Sequence, residues 1–305
     1  AAAPSASASR PSAGAPLPEL PARLPAPERL VAIGDLHGDL AATRRVLRLA
    51  GAIDAADRWV GGALVVVQVG DQIDRGDDDR AILELFDRLS DAASAAGGRV
   101  VALQGNHEVM NVDGDFRYVT PGAFAAFSPE PATPAVEASL ARFPQEARGR
   151  AQAFLPGGSA ARRLAGRDLV ARVGDSAFVH GGLGLDHLRY GLVRMNREVR
   201  RWEAGEGPRP EAALSPEGPV WTRRYAEEGR EPDCARLGET LAALEVARLV
   251  VGHTPQRGGV TSACGGRLQR IDVGMSRSYG GPVQALEIRG AAVTVLREAE
   301  AATPG

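Results

Sequence analysis

Apolar residues in this chain come in short runs, and run after run ends on a polar cluster carrying glycine. Leu30 to Ile33 leads into Gly34-Asp35-Leu36-His37-Gly38, and Ala63 to Val69 leads into Gly70-Asp71-Gln72-Ile73-Asp74-Arg75-Gly76. Arg99 to Leu103 leads into Gln104-Gly105-Asn106-His107-Glu108. Uninterrupted β-branched and aliphatic runs of this length predict strands buried on both faces. The stretches between them, Asp39 to Ala50 and Asp77 to Ala95, have helical composition; Ile82, Leu85, Phe86 and Leu89 fall on one helical face. Three strand-then-motif units with helices between them predict an α/β layout. Further strands are expected at Asp168 to Val173, Ser176 to Val179, Arg248 to Val251 and Leu268 to Val273. A helix is expected near Thr240 to Val246, and a closing hairpin at Val283 to Ile288 and Ala292 to Leu296, turned at Arg289-Gly290.

Two stretches interrupt this rhythm. From Asp115 to about Gly166, prolines break the chain into short helical pieces, and from about Asp186 to Glu239 runs a polar, Pro- and Gly-rich excursion. Both are expected to be insertions in a single domain spanning 29–305. Residues 1–28, mostly Ala, Pro and Ser without a hydrophobic period, are expected to form a flexible tail.

With 305 residues, 44% hydrophobic and 24% charged, the chain is long enough to bury a full core. A net charge of -2 lacks the basic excess of nucleic-acid or membrane-surface proteins. No run reaches the roughly 18 apolar residues of a membrane-spanning helix. Every Lys/Arg position is arginine, which rules out a lysine nucleophile or Schiff base. Two cysteines, Cys234 and Cys264, are too few for a four-thiolate metal site and are expected to pair with each other. With the Met-less alanine start and the Pro/Ala/Ser tail, they point to a periplasmic or secreted protein, the cytoplasm being the alternative.

Of the five histidines, four follow strand-like runs: His37, His107, His180 and His253; His187 does not. Asp35, Asp71 and Asn106 stand in the same position. In open α/β sheets the carboxyl ends of strands are where sites form. Imidazole and carboxylate together suit Mn, Fe or Zn better than Mg or Ca. Asp35 and His37, one residue apart, can chelate one ion; Asp71, Asn106, His180 and His253 suffice for a second. A bridging Asp71 would set the two about 3.5 to 4 Å apart, the spacing of hydrolytic two-metal sites.

These clusters, with His180-Gly181-Gly182 and Gly252-His253-Thr254, resemble the five ordered motifs of the calcineurin-like metallophosphoesterases, and within them the phosphoprotein phosphatase branch. Asn106 to Asn111, Pro219 to Arg223 and Ile271 to Ser276 are most similar to the Shewanella-like protein phosphatases. The resemblance covers about Arg29 to Leu296. It implies a four-layer α-β-β-α sandwich of two mixed sheets flanked by helices, with the insertions capping the metal site. It further implies a metallophosphatase with Asp35, His37 and Asp71 on one metal, and Asp71, Asn106, His180 and His253 on the other. A water or hydroxide between the metals would attack phosphorus in line. His107, kept protonated beside Asp74, would protonate the leaving oxygen, and Arg75 would fork onto phosphate oxygens. A second phosphate-binding arginine is expected at Arg223, with Arg224 as the alternative; Asp272 and Tyr279 are candidates for orienting the metal ligands from behind.

The expected substrate is a phosphorylated one, a phosphoprotein with phosphotyrosine among the candidates or a small phosphomonoester. The same motifs admit a dinucleoside polyphosphate or another phosphoanhydride, and a third reading is an idle binding module. Phe116, Tyr118, Phe124, Phe127, Phe143 and Phe154 are expected to form the first insertion's own small core, the alternative being a cap over the cleft that reads an aromatic leaving group.

Overall fold

The protein's structure is a computed structural model, which describes residues 19–129, 134–227 and 230–298. In chain order the strands are β1 (Arg23–Leu24), β2 (Leu30–Ile33), β3 (Val65–Gln68), β4 (Arg99–Ala102), β5 (Val170–Val173) and β6 (Ser176–Val179). There follow β7 (Arg248–Val251), β8 (Thr261–Ala263), β9 (Leu268–Arg270), β10 (Gln284–Arg289) and β11 (Ala292–Arg297). They assemble as two mixed sheets, ordered β11-β10-β2-β3-β4 and β1-β5-β6-β7-β9-β8.

Alternation along each strand explains why the runs are apolar throughout. Leu30, Ala32, Val67 and Val69 of the first sheet meet Val173, Phe178, Val250 and Ile271 of the second in one core. The intervening Val31, Ile33 and Val66 face Val46, Leu47, Ile82, Leu85 and Phe86 of the helices Leu40–Leu49 and Asp79–Ala95. On the far side, Ala177, Val179, Leu249 and Val251 pack against Leu237 and Leu241 of the helix Cys234–Leu244 and Met195 and Val199 of the helix Leu192–Glu203. Both sheets are thus covered on both faces, the condition that selects apolar runs over alternation. The expected α-β-β-α sandwich is the observed fold.

Some boundaries differ from expectation. Residues 19–28 are not a free tail: β1 pairs in parallel with β5, Arg172 Nη1 donates to the Pro21 carbonyl at 3.1 Å, and Arg23 lies 3.5 Å from the Glu245 carboxylate. Backbone pairing and arginine contacts lay this segment down, and Leu20 and Leu24, which pack against the two cores, are too sparse to make a hydrophobic pattern. The remaining tail, 1–18, lies outside the described residues. The helix Cys234–Leu244 begins six residues earlier than expected because Asp233 caps it, its carboxylate accepting from the amides of Ala235 and Arg236. The second excursion holds the twelve-residue helix Leu192–Glu203, whose Leu192, Met195, Val199 and Trp202 form a buried stripe hidden in a charged sequence. No helix among the described residues is long and apolar enough to cross a membrane.

Candidate active site

Parallel register brings the motifs together. Ile33 aligns with Gln68, Gln68 with Ala102, and Val179 with Val251, so the clusters that follow β2, β3, β4, β6 and β7 emerge side by side. The loops then close tightly: a Cβ on Gly70 would lie 2.4 Å from Gly105 N, and one on Gly105 would lie 2.1 Å from Asp71 Oδ1. Only glycine permits that approach.

Asp35, His37, Asp71, Asn106, His107, His180 and His253 are all buried there. Hydrogen bonds to carbonyls fix the ring tautomers, because a carbonyl only accepts. His180 Nδ1 donates to Val69 O at 3.0 Å, so Nε2 is turned toward Asn106 Oδ1 at 3.0 Å and Asp71 Oδ2 at 3.2 Å. His253 Nε2 donates to Trp221 O at 3.0 Å, which leaves Nδ1 for the cluster it forms with Asp71 and His180. His37 Nδ1 lies 3.3 Å from Ile73 O, and its Nε2 stands 3.9 Å from Asp35 Oδ2 and 3.8 Å from Asp71 Oδ2. With its proton on Nδ1, His180 turns the lone pair of Nε2 toward two oxygens, an arrangement that a cation shared by every converging donor satisfies. Carboxylate, amide oxygen and imidazole together fit a transition-metal cation.

The electrostatics agree. Burial, together with Asp272 and Asp71, pushes the Asp35 carboxyl well above the usual range, and burial pushes Asp272 up to about 6. Burial opposes charge on Asp71 too, but His180, His107 and His37 hold its carboxyl well below the usual range. Burial drives His37 down to about 3, leaving a neutral ring with a free lone pair. Asp272 accepts from Gly274 N through Oδ1, while its Oδ2 is buried without a hydrogen-bond partner. Crowded buried carboxylates with spare lone pairs need a cation.

His107 has two faces. Its Nδ1 is 2.7 Å from Asp74 Oδ2, and its Nε2 is 3.8 Å from Asp71 Oδ2. By donor distance alone, His107 groups with His37 and Asp71, in the place expected for Asp35. Asn106 and His107 open the helix Asn106–Val112, so the helical turn, not strand alternation, separates their side chains. Burial works against a charged His107 ring, yet Asp71 and Asp74 raise its pKa on balance.

Three residues that the sequence did not single out hold this arrangement. Glu108 accepts the amides of Asp71 and Gly105 on Oε2, at 2.8 and 2.7 Å, and of Gln72 on Oε1 at 2.8 Å. Asn111 Nδ2 donates to both Asp74 oxygens and to His107 O. Arg150, fully buried, reaches Asp74 from the first insertion. Asn111 sits four residues after His107, a helical spacing that sequence could have exposed; Arg150 has no such local signal.

Arg75 lies at the mouth, its guanidinium carbon 4.3 Å from the ring centroid of Tyr118 and 5.2 Å from that of Tyr279. Its Nε is buried without a partner, and no carboxylate pairs with it among the described residues. Tyr118 and Tyr279 also flank the rings of His107 and His37, at 5.1 and 5.2 Å. Tyr118 is therefore at the cleft, while Phe116 packs on Phe124 and Phe143, and Phe127 on Phe154, inside the insertion. The two arginines separate cleanly. Arg224 forks onto Asp186 at 3.0 and 3.2 Å, whereas Arg223 Nη1 is anchored on His253 O and Thr254 Oγ1 at 2.9 and 2.8 Å, without a carboxylate among the described residues. Cys234 and Cys264 form a disulfide.

Buried carboxylates, an amide oxygen and imidazoles converging at strand ends between two mixed sheets define a metal-dependent hydrolase of phosphoesters. Residues 28–257 match the calcineurin-like phosphoesterases, and the chain belongs to that family. It is 41% identical over 302 residues to Shewanella-like protein phosphatase 2 of Arabidopsis thaliana, covering 88% of this chain and 77% of that protein. Shewanella-like protein phosphatase 1 of Plasmodium berghei is 30% identical over 267 residues, covering 83% and 69%. Among solved structures, a cold-active protein tyrosine phosphatase superposes with a TM-score of 0.73 at 23% identity, over 91% of this chain and 78% of that one. The cold-active protein-tyrosine phosphatase of a psychrophilic Shewanella species gives 0.68 at 22% identity, over 92% and 83%. The chain is a phosphatase of the Shewanella-like type, and neither the phosphoanhydride nor the idle-module alternative is favoured.

Proposed function

We propose that this phosphatase removes phosphate from phosphoproteins, phosphotyrosine included, at two ions drawn from Mn, Fe and Zn. The observation that carries the reading is Asp71 Oδ2, which lies within reach of His37 on one side and His180 on the other. Asp35, His37 and Asp71 would hold one ion; Asp71, Asn106, His180 and His253 would hold the other. Ions held there supply Lewis acidity, acidifying a water and neutralising charge on the phosphoryl oxygens.

The chain's own groups do the rest. Arg75, unpaired by carboxylate and stacked on Tyr118, forks onto the phosphate. Arg223 adds a second cationic contact, anchored beside His253. His107, oriented by Asp74, gives a proton to the leaving oxygen through Nε2. The exposed faces of Tyr118 and Tyr279 flank Arg75, which supports an aromatic leaving group between them. The disulfide supports an oxidising compartment, the periplasm or the exterior.

Metal analysis with kinetics tests this. Purified protein is expected to carry about two ions per chain, lose hydrolysis on chelation and regain it with Mn, Fe or Zn. Asp71→Asn removes the shared donor and is expected to lose most activity. A phosphotyrosine peptide is expected to exceed a phosphoserine peptide in kcat/KM. Full activity after chelation, or a preference for a dinucleoside polyphosphate, overturns the reading.

A further inference from the structure

Arg150 is a fully buried arginine brought in by an insertion, and its contacts run to one carboxylate of the proposed site. It belongs to the helix Arg148–Phe154. Its Nη2 is 3.1 Å from Asp74 Oδ1 and 2.7 Å from Asp79 Oδ2, the latter off the N–H direction; Nε donates to Asn111 Oδ1 at 2.7 Å, and Nη1 to Ala123 O at 3.3 Å. Phe154 lies under the guanidinium at 4.6 Å and Phe127 at 5.3 Å. Asp79 in turn accepts the Asp74 amide at 3.0 Å.

This leaves Asp74 with no rotational choice. Oδ1 is taken by Arg150 and Asn111, so Oδ2 must face His107 Nδ1, and Asn111 also holds the His107 carbonyl. A bidentate planar cation suits the task; an ammonium is a point charge and cannot satisfy Asn111, Asp74 and Asp79 together. Burying two carboxylates and a guanidinium is costly, and a core of the same volume could be made from apolar side chains at less expense. We propose that Arg150 is a positioning residue: it locks Asp74 onto His107 and so ties the first insertion to leaving-group protonation. The proposal rests on the reading of His107 as proton donor.

Removing the charge outright would leave two buried carboxylates side by side, so Arg150→Ala can fail through folding alone. Arg150→Lys keeps a cation and is the variant to use, as the full chain loaded with Zn. Its kcat for an alkyl phosphate is expected to fall about tenfold or more, as for a small misplacement of a catalytic group, with KM little changed. The fall with p-nitrophenyl phosphate, whose leaving group needs little protonation, is expected to be about threefold or less. A second readout is independent of turnover. With histidine-selective 15N labelling only five rings report, and the His107 Nδ1–H resonance, assigned by its loss in His107→Asn, is expected to shift or broaden in Arg150→Lys. An equal loss with both esters, or an unmoved resonance, overturns the assignment. Absence of metal-dependent hydrolysis by the unaltered protein would instead sink the phosphatase reading, and the resonance still judges Arg150.

Discussion

Replacing Glu108 by Gln tests whether the centre is held by backbone bonds to one buried carboxylate. Both oxygens of Glu108 only accept: Oε2 from Gly105 and Asp71, Oε1 from Gln72. A glutamine amide has one oxygen, so at best two of the three amides keep a partner, and the third faces an NH2 group. Losing a charge-assisted bond costs about 1.5 to 3 kcal/mol, and stranding a buried N–H costs about 1 to 3 kcal/mol. Against this, burial pushes the Glu108 carboxyl up, aided by nearby Asp71, so removing its charge returns part of the loss. The net expectation is about 2 to 3 kcal/mol, or roughly 3 to 5 °C in Tm for a domain of this size. Because the freed amides belong to the loop that carries Asp71, metal affinity should fall as well. Denaturant unfolding of the metal-free variant, followed by metal titration, reads both effects. A variant within about 0.5 kcal/mol of the parent, the range of ordinary surface changes, and with unaltered metal affinity would refute the argument.

His107→Asn is expected to keep its metal content and lose about 10² to 10⁴ in turnover, with a smaller loss on p-nitrophenyl phosphate than on an alkyl ester. An emptied metal site would instead make His107 a ligand, as its distance to His37 and Asp71 allows. Arg223→Ala is expected to raise KM about tenfold, the worth of one charge-assisted contact, while Arg224→Ala, whose guanidinium is held by Asp186, should leave KM within about twofold; Michaelis kinetics on the two variants decide between them. Cys234→Ser with Cys264→Ser opens a loop of sequence separation 30, and denaturant unfolding is expected to show a loss of about 3 to 4 kcal/mol.

How far the sequence could be read follows from where the information lies. Strands β2, β3, β6 and β7 were legible because both faces of each are buried, β4 at its sheet edge by its apolar run alone, and the six candidate ligands were legible because each sits within a few residues of such a strand. Arg23–Leu24 and Thr261–Ala263 were not, since both are edge strands held by backbone pairing with little apolar pattern. Glu108 was visible only as a motif letter; its work depends on the amides of a loop 36 and 37 residues away. Arg150 was hidden altogether. It differs from Arg148 only in the direction it faces, into the core instead of solvent, and that is decided by packing across 76 residues of separation from Asp74. Tyr118 was grouped with the insertion's phenylalanines because composition cannot tell a ring in a small core from one stacked on Arg75.

Eight non-glycine residues among those described have positive φ, and five of them, His37, Asp71, Asp74, Arg75 and His253, belong to the site. Each costs about 1 to 2 kcal/mol against the right-handed alternative, so such a cluster persists only where the surroundings over-determine it. They do so through the amides. His37 N donates to Asp71 O, Asp71 N to Glu108, Asp74 N to Asp79, Arg75 N to Tyr118 O, and His253 N to Asp35. The amides of Asp57 and Glu245, strained elsewhere, donate only to carbonyls of their own turn, three or four residues back. At the site, then, the partner of every left-handed residue is another site residue or one of its direct supports. Strain and support are the same network, so a substitution such as Glu108→Gln releases a left-handed loop and the metal geometry together, which is why its stability and metal readouts are expected to move in step.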